Sequence, residues 1–222
     1  MDWQTVELTV RLAATTTTLL MLLGLPLAWW LARGGGWARA GVQAIVGLPL
    51  VLPPTVLGFY LLVDLGPLTG LGRALIHLIG HPLAFSFTGL VVGSMLYSLP
   101  FAVQPMVAGF SAIDREFGEV ASTLGASPVR VFLGITLPLA KRSVVTAAVL
   151  AFTHTVGEFG VVLMLGGNIP GATRTMSIAL YDQVQDGQYA DANRTALVLL
   201  LVAFAGLVAL YARPRRSGGE LV

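Results

Sequence analysis

This sequence predicts an all-α integral membrane protein, a single transmembrane domain over residues 1–222 with about five crossing helices. Three observations lead there. Hydrophobic residues make up 55% of the 222 and charged ones only 11%, with a mean hydropathy of +0.81, too apolar for a soluble domain of this size. Apolar stretches near 9–31, 42–63, 87–110, 143–165 and 196–211 approach the roughly 20 residues that cross about 30 Å of hydrocarbon. Between the third and fourth lies a polar segment, 119–138, with Glu119, Ser122, Thr123, Ser127 and Arg130, which belongs outside the bilayer and faces a partner.

Cysteine is absent, which removes disulfide frameworks and thiolate metal sites. The first apolar run follows Asp2 and Glu7 rather than a basic flank, and no small-residue cleavage site succeeds it, so a retained span is expected rather than a signal peptide. An odd number of crossings puts the termini on opposite sides. Arg33, Arg39, Arg115, Arg130, Lys141, Arg142, Arg213, Arg215 and Arg216 then share one side, against Arg11, Arg73, Arg174 and Arg194 on the other. The positive-inside rule places the N-terminus outside and the C-terminus and the 119–138 segment in the cytoplasm.

In the first span, the threonines at 15–18 can bond back to helix carbonyls, Pro26 introduces a kink, and Trp29 and Trp30 suit interface anchors. The glycines at 34–36 form an inner turn. In the second, Pro49, Pro53 and Pro54 each remove a backbone donor at membrane depth, which predicts a broken helix lining a central cavity. The segment 66–85 holds a short helix at 73–79 whose Leu75, Leu78 and Ile79 rest on the membrane surface or the bundle. His77 and His81 lack a third ligand nearby and are expected to be a solvated pair. The third span has a small-residue strip, Gly89, Gly93 and Ser94, suited to close helix packing.

In the 119–138 segment, Ile113, Phe117, Val120, Ala121 and Leu124 recur at helical spacing, Gly125 supplies a left-handed terminus, Ser127 a cap and Pro128 the first position of the next helix. The prediction is helix, sharp turn, short helix, with Val129, Phe132 and Ile135 on an apolar edge. In the fourth span, His154 and Glu158 fall one turn apart on one face, and an ionisable residue at this depth is a site candidate facing the bundle interior. For Glu158, a carboxylate accepting hydrogen bonds from a neighbouring span or from freed backbone is favoured over direct substrate contact. Gly157 and Gly160 allow close approach of another helix. Residues 166–193 are too polar to span and hold a short helix near 181–185 before a plain last span.

The spacing Glu119, Ala121, Gly125, Ile135, Leu137, Pro138 resembles the EAA loop of the membrane subunits of bacterial ATP-binding-cassette importers, with Val120 where that family usually has Ala. The Pro53–Pro54 stretch, the Gly157-Glu158-Phe159-Gly160 run and the stretch Asn168, Ile169, Pro170, Gly171, Thr173, Arg174, Thr175 resemble the molybdate permeases of that class across nearly the whole chain. The resemblance implies a type I importer permease fold in a bacterial cytoplasmic (inner) membrane. It makes about 111–140 the cytoplasmic coupling loop, with Glu119, Ala121, Gly125, Ser127, Pro128, Arg130, Ile135 and Pro138 meeting the ATPase. It assigns Pro53, Pro54, His154, Gly157, Glu158, Phe159 and Gly160 to the pathway or gate, and Asn168, Pro170, Thr173, Arg174 and Thr175 to the face for an external binding protein. It also implies a homodimer, two copies of a cytoplasmic ATPase holding ATP and Mg, an extracytoplasmic molybdate-binding protein, no cofactor or metal on this chain, no C-terminal regulatory domain, and no nucleic-acid partner. His154 stands where Arg is expected, so a permanent charge there is missing.

The only lysine, Lys141, is not preceded by the glycine of a phosphate-binding loop, so this chain is expected to be a transport subunit without catalytic residues and the ATPase a separate polypeptide. The implied substrate is molybdate or tungstate, too alike in charge and size to separate by sequence, and sulfate or thiosulfate is the alternative. An ion-coupled secondary transporter using His154 and Glu158 is a second alternative, and a haem-bearing anchor, which would need paired histidines, a third.

Overall fold

The computed structural model describes residues 2–212, and every regular element among them is helical. Arg213, Arg215 and Arg216, which contribute to the predicted sidedness, lie outside the described residues.

Helix α1 (Trp3–Ala32) starts where the Asp2 carboxylate accepts from the Gln4 N–H and runs through Pro26. Its buried residues Thr5, Thr9, Leu12, Thr16, Leu20, Gly24, Ala28 and Leu31 form one stripe of helical period. Helix α2 (Trp37–Gly47) continues into a 3-10 turn (Leu48–Leu50), and α3 (Pro54–Asp64) leaves at 110° to it. Three prolines in six residues cannot supply the donors of a continuous helix, so the second span is broken as predicted. Helix α4 (Gly70–Ile79) is capped by Thr69; its Leu75 packs beside Leu65 and Leu83, while Leu78 stays exposed.

Helix α5 (Phe87–Ser111) is the central post. With α1 and α9 (Lys141–Gly157) it forms a mutually packed triangle. Near the Trp29 end of α1 this triangle buries Leu20, Ala28, Ala102, Val103, Met106, Ala147 and Ala151; at the other end Leu12, Leu90, Val91, Val162 and Ile178 close the core. Between α5 and α9 come α6 (Arg115–Thr123), α7 (Pro128–Val131), a π-helical turn (Phe132–Thr136) and α8 (Leu137–Leu139), after which the chain bends by 75° into α9.

The predicted fourth span is interrupted: α9 stops at Gly157 and α10 (Gly160–Gly166) restarts after Glu158 and Phe159. Helix α11 (Met176–Gln185) begins earlier than the predicted 181, because Thr175 caps it and Met176 and Ile178 are drawn into the core. Helix α12 (Tyr189–Tyr211) likewise starts well before 196 and packs on α9 and α11. By length and composition α1, α5 and α12 each suffice to cross a membrane, and the bent pairs bring the number to five.

The two breaks are held close where Gly160 packs on Pro54. A Cβ at 160 would lie 2.8 Å from Pro54 Cβ and 3.2 Å from the Thr55 nitrogen. Gly160→Val should therefore destabilise the fold by about 1–3 kcal/mol, read as a lower melting midpoint in detergent; an unchanged midpoint would show that α3 and α10 separate freely.

Candidate functional site

Two helix breaks meet face to face. Pro53 is extended (φ −56°, ψ 135°) ahead of α3, and Glu158 is extended (φ −65°, ψ 132°) after α9. Helix α3 lies along α10, with Gly58 against Val161 and Met164 and Gly160 against Pro54. The carbonyl of Glu158, released from the helix ladder, accepts a hydrogen bond from Ser177 Oγ, which is itself 2.9 Å from Thr175 Oγ1. Phe159 packs on Tyr181, centroids 5.1 Å apart. Gly157 opposes no other part of the chain, whereas Gly160 does.

The break changes the expected relation between His154 and Glu158. They do not share a helix face as one pair, because α9 ends between them and no ion pair joins them among the described residues. His154 turns to α5. Its ring stacks on Phe101 at 3.9 Å and lies 5.0 Å from Tyr97, while Nδ1 is 2.9 Å from Ser98 Oγ. Donor counting assigns the proton: Thr155 Oγ1 donates to the Ala151 carbonyl at 2.8 Å, so it accepts from Ser98 Oγ at 3.0 Å, and Ser98 accepts from His154 Nδ1–H.

Glu158 is 3% exposed, and neither carboxyl oxygen has a hydrogen-bond partner among the described residues. The expected hydrogen bond from a neighbouring span has a donor in Ser94 on α5, which faces this carboxyl without reaching full hydrogen-bond geometry in this conformation. Ser94 Oγ, buried on α5, has no other partner among the described residues. Ser94, Ser98, Tyr97 and Phe101 were not singled out as site residues by sequence reasoning. Serines four apart in an apolar helix were the available signal, and the small-residue reading of the strip absorbed it.

The 119–138 segment folds as predicted. Gly125 has φ +85°, with its N–H on Ser122 O and the Ala126 N–H on Ala121 O, and Ser127 Oγ accepts from the Arg130 N–H. Phe117, Val120, Leu124 and Val129 are exposed, Leu124 by 84%, as are Glu119, Arg130 and Pro138, while Ala121 and Ile135 are half-buried. Phe132 does not join that edge. It turns inward between Trp29 (4.8 Å) and Phe110 (5.9 Å), so Trp29 grips this segment rather than serving as a plain interface anchor. A cleft of about 780 Å³ separates the segment from the end of α1, lined by Arg33, Gln43, Asp114, Arg115 and Glu119 among others.

The 168–175 loop is internally tied. Asn168, at φ +59°, donates to both Asp182 carboxylate oxygens (3.1 and 2.9 Å) and accepts from Arg174 Nε at 2.7 Å; Arg174 also pairs with Asp182 at 3.4 Å. Thr173 Oγ1 donates to Gly166 O at 2.6 Å and accepts from the Ile169 N–H, and Thr175 caps α11 beside a bond from the Met176 N–H to Thr9 Oγ1. Arg174 is therefore a clamp inside the loop rather than a free surface cation, and Pro170 lies exposed at its tip.

A family model described as binding-protein-dependent transport system inner membrane component matches residues 24–217. The chain belongs to that family. This permease is 50% identical to the molybdenum transport system permease protein ModB of Azotobacter vinelandii over 218 residues, covering 98% of this chain and 96% of the relative. It is 34% identical to the protein of the same name from Escherichia coli K12, over 93% of this chain and 91% of that one. Among solved structures, the inward-facing MetNI methionine ABC transporter covers 97% of this permease and 100% of its own chain at TM-score 0.68 and 20% identity, and a bacterial ABC transporter for alginate import covers 97% and 82% at 0.69 and 20%. The permease thus has the ABC importer permease fold and is a multi-pass membrane protein.

An unpartnered buried carboxyl costs about 1–3 kcal/mol, so Glu158→Met should raise the melting midpoint of the detergent-solubilised permease. A fall would show that the carboxyl has a partner it depends on. Ser98→Ala removes the only acceptor of the Nδ1 proton and should lower the midpoint by an amount equivalent to about 1–2 kcal/mol, measured the same way.

Proposed function

We propose that this chain is the membrane-spanning half of an ATP-driven molybdate importer in the bacterial inner membrane, with α6 to α8 as its coupling segment. The near full-length similarity to a molybdenum transport permease at 50% identity carries the reading. Two copies would enclose the pathway, two ATPase subunits would sit against the exposed Phe117, Val120, Leu124 and Val129 face, and a loaded binding protein would dock at the 168–175 side. ATP binding draws the two coupling segments together. The motion enters α9 through the 75° bend and reaches the paired breaks at Pro53–Pro54 and Glu158–Phe159.

The chemistry of the pathway agrees with a passing oxyanion that is not held tightly. Glu158 is buried away from any open surface, which keeps a carboxyl from facing an anion. His154 is fixed by Ser98 and the aromatic stack, and the Nδ1–H, the Ser98 hydroxyl and the Thr155 hydroxyl all donate within the protein, so this cluster offers a passing anion no permanent cation to hold it. Sulfate is the second reading, because the two anions share charge and tetrahedral shape.

The test is uptake of labelled molybdate into vesicles holding the permease, its ATPase and its binding protein. Uptake should need ATP and persist in excess sulfate; loss to sulfate would move the assignment to that anion, and uptake without ATP would overturn it. Gly125→Val forces a β-branched residue into a left-handed position with open space around it, a strain of about 1–2 kcal/mol confined to the turn. That variant should assemble normally yet show ATP hydrolysis that no longer responds to the loaded binding protein.

A further inference from the structure

The turn between α1 and α2 carries a cluster that lies apart from the paired helix breaks. Trp29 and Trp30 end α1, and the glycines at 34–36 fold the chain back so that Arg33 lies over the Trp29 indole, Cζ 4.4 Å from its centroid, and Arg39 over Trp30 at 5.3 Å. Arg39 Nη1 donates to the Gly35 carbonyl at 3.4 Å, and its Nε, shielded from solvent, has no hydrogen-bond partner. Among the described residues neither Arg33 nor Arg39 forms an ion pair with a carboxylate. The adjoining cleft, which Arg33 also lines, holds Asp114 and Glu119 as well as Arg115, so these groups together with Arg39 carry one net positive charge. Beside it Trp37 opens α2 at 95% exposure, followed by the exposed Ile45.

We propose that this turn binds the headgroup of an anionic phospholipid, its phosphodiester held by Arg33 and Arg39 and its acyl chains bordered by Trp37. A guanidinium stacked on an indole keeps its N–H edge free for phosphate oxygens. The turn also sits where an apolar span ends, at headgroup depth, where tryptophan and arginine are favoured and each basic residue adds attraction to anionic lipid. Trp29 connects the site to the coupling segment through Phe132, so a bound lipid braces the base on which that segment rests.

Native mass spectrometry of the purified, delipidated permease–ATPase complex tests this without reference to the transported anion. Phosphatidylglycerol should be retained in preference to phosphatidylcholine, and Arg33→Gln with Arg39→Gln should cut that preference by roughly thirtyfold. The charge-conserving Arg33→Lys, Arg39→Lys pair should keep most of it and controls for misfolding. Equal retention of the two lipids, an unchanged preference in the glutamine pair, or equal loss in both pairs would overturn the proposal. Displacement of the lipid by millimolar inorganic phosphate would overturn it too, since the site would then be one for a free anion.

Discussion

A backbone that leaves the helical ladder at membrane depth must be covered by protein or open onto a cavity, because lipid supplies no hydrogen bonds. The structure depends on how this chain meets that demand twice in one place. The break before Pro54 removes donors, the break at Glu158 releases a carbonyl, and the two are brought together by the absence of a side chain at Gly160. Ser177 reaches from α11 to the freed carbonyl, which explains why the polar segment after α10 dives into the core instead of lying on the surface. Thr175, Met176 and Thr9 extend the same anchoring to α1.

The second constraint is at the other end of the bundle. For the coupling role proposed for α6 to α8, the segment must present an apolar face to a partner and still be stiff enough to transmit force. Here the roles are divided between residues. Phe117, Val120, Leu124 and Val129 stay on the surface, while Phe132 and Val131 are buried against Trp29, Phe110 and the cleft wall. From Pro128 the chain is helical apart from the 75° bend into α9, so displacement of α7 has a short path to the Ser98–His154 contact and the break beyond it.

Much of this was legible in the residues. Gly125, Ser127 and Pro128 announce the turn and the next helix because each has a local stereochemical preference, and the prolines at 49, 53 and 54 announce the second break for the same reason. The break at Glu158 was not legible, since Gly157 and Gly160 permit a helix as well as interrupt it, and tertiary packing with Pro54 decides. A continuous helix would put His154 and Glu158 on one face; in the fold the first meets Ser98, and the second faces Ser94 without a full hydrogen bond among the described residues. The clamp between Arg174 and Asp182 is likewise absent from the sequence, because the two lie on either side of the start of α11, a contact that no local pattern reports.

The absence of native cysteine allows one decisive measurement. Val129→Cys places a single spin label on the exposed part of the coupling segment, and the distance between the two labels of an assembled permease–ATPase complex can be read by double electron–electron resonance. The account predicts one well-defined distance that shortens when a non-hydrolysable ATP analogue and loaded binding protein are added. A distribution that does not change in a complex competent to hydrolyse ATP would contradict it.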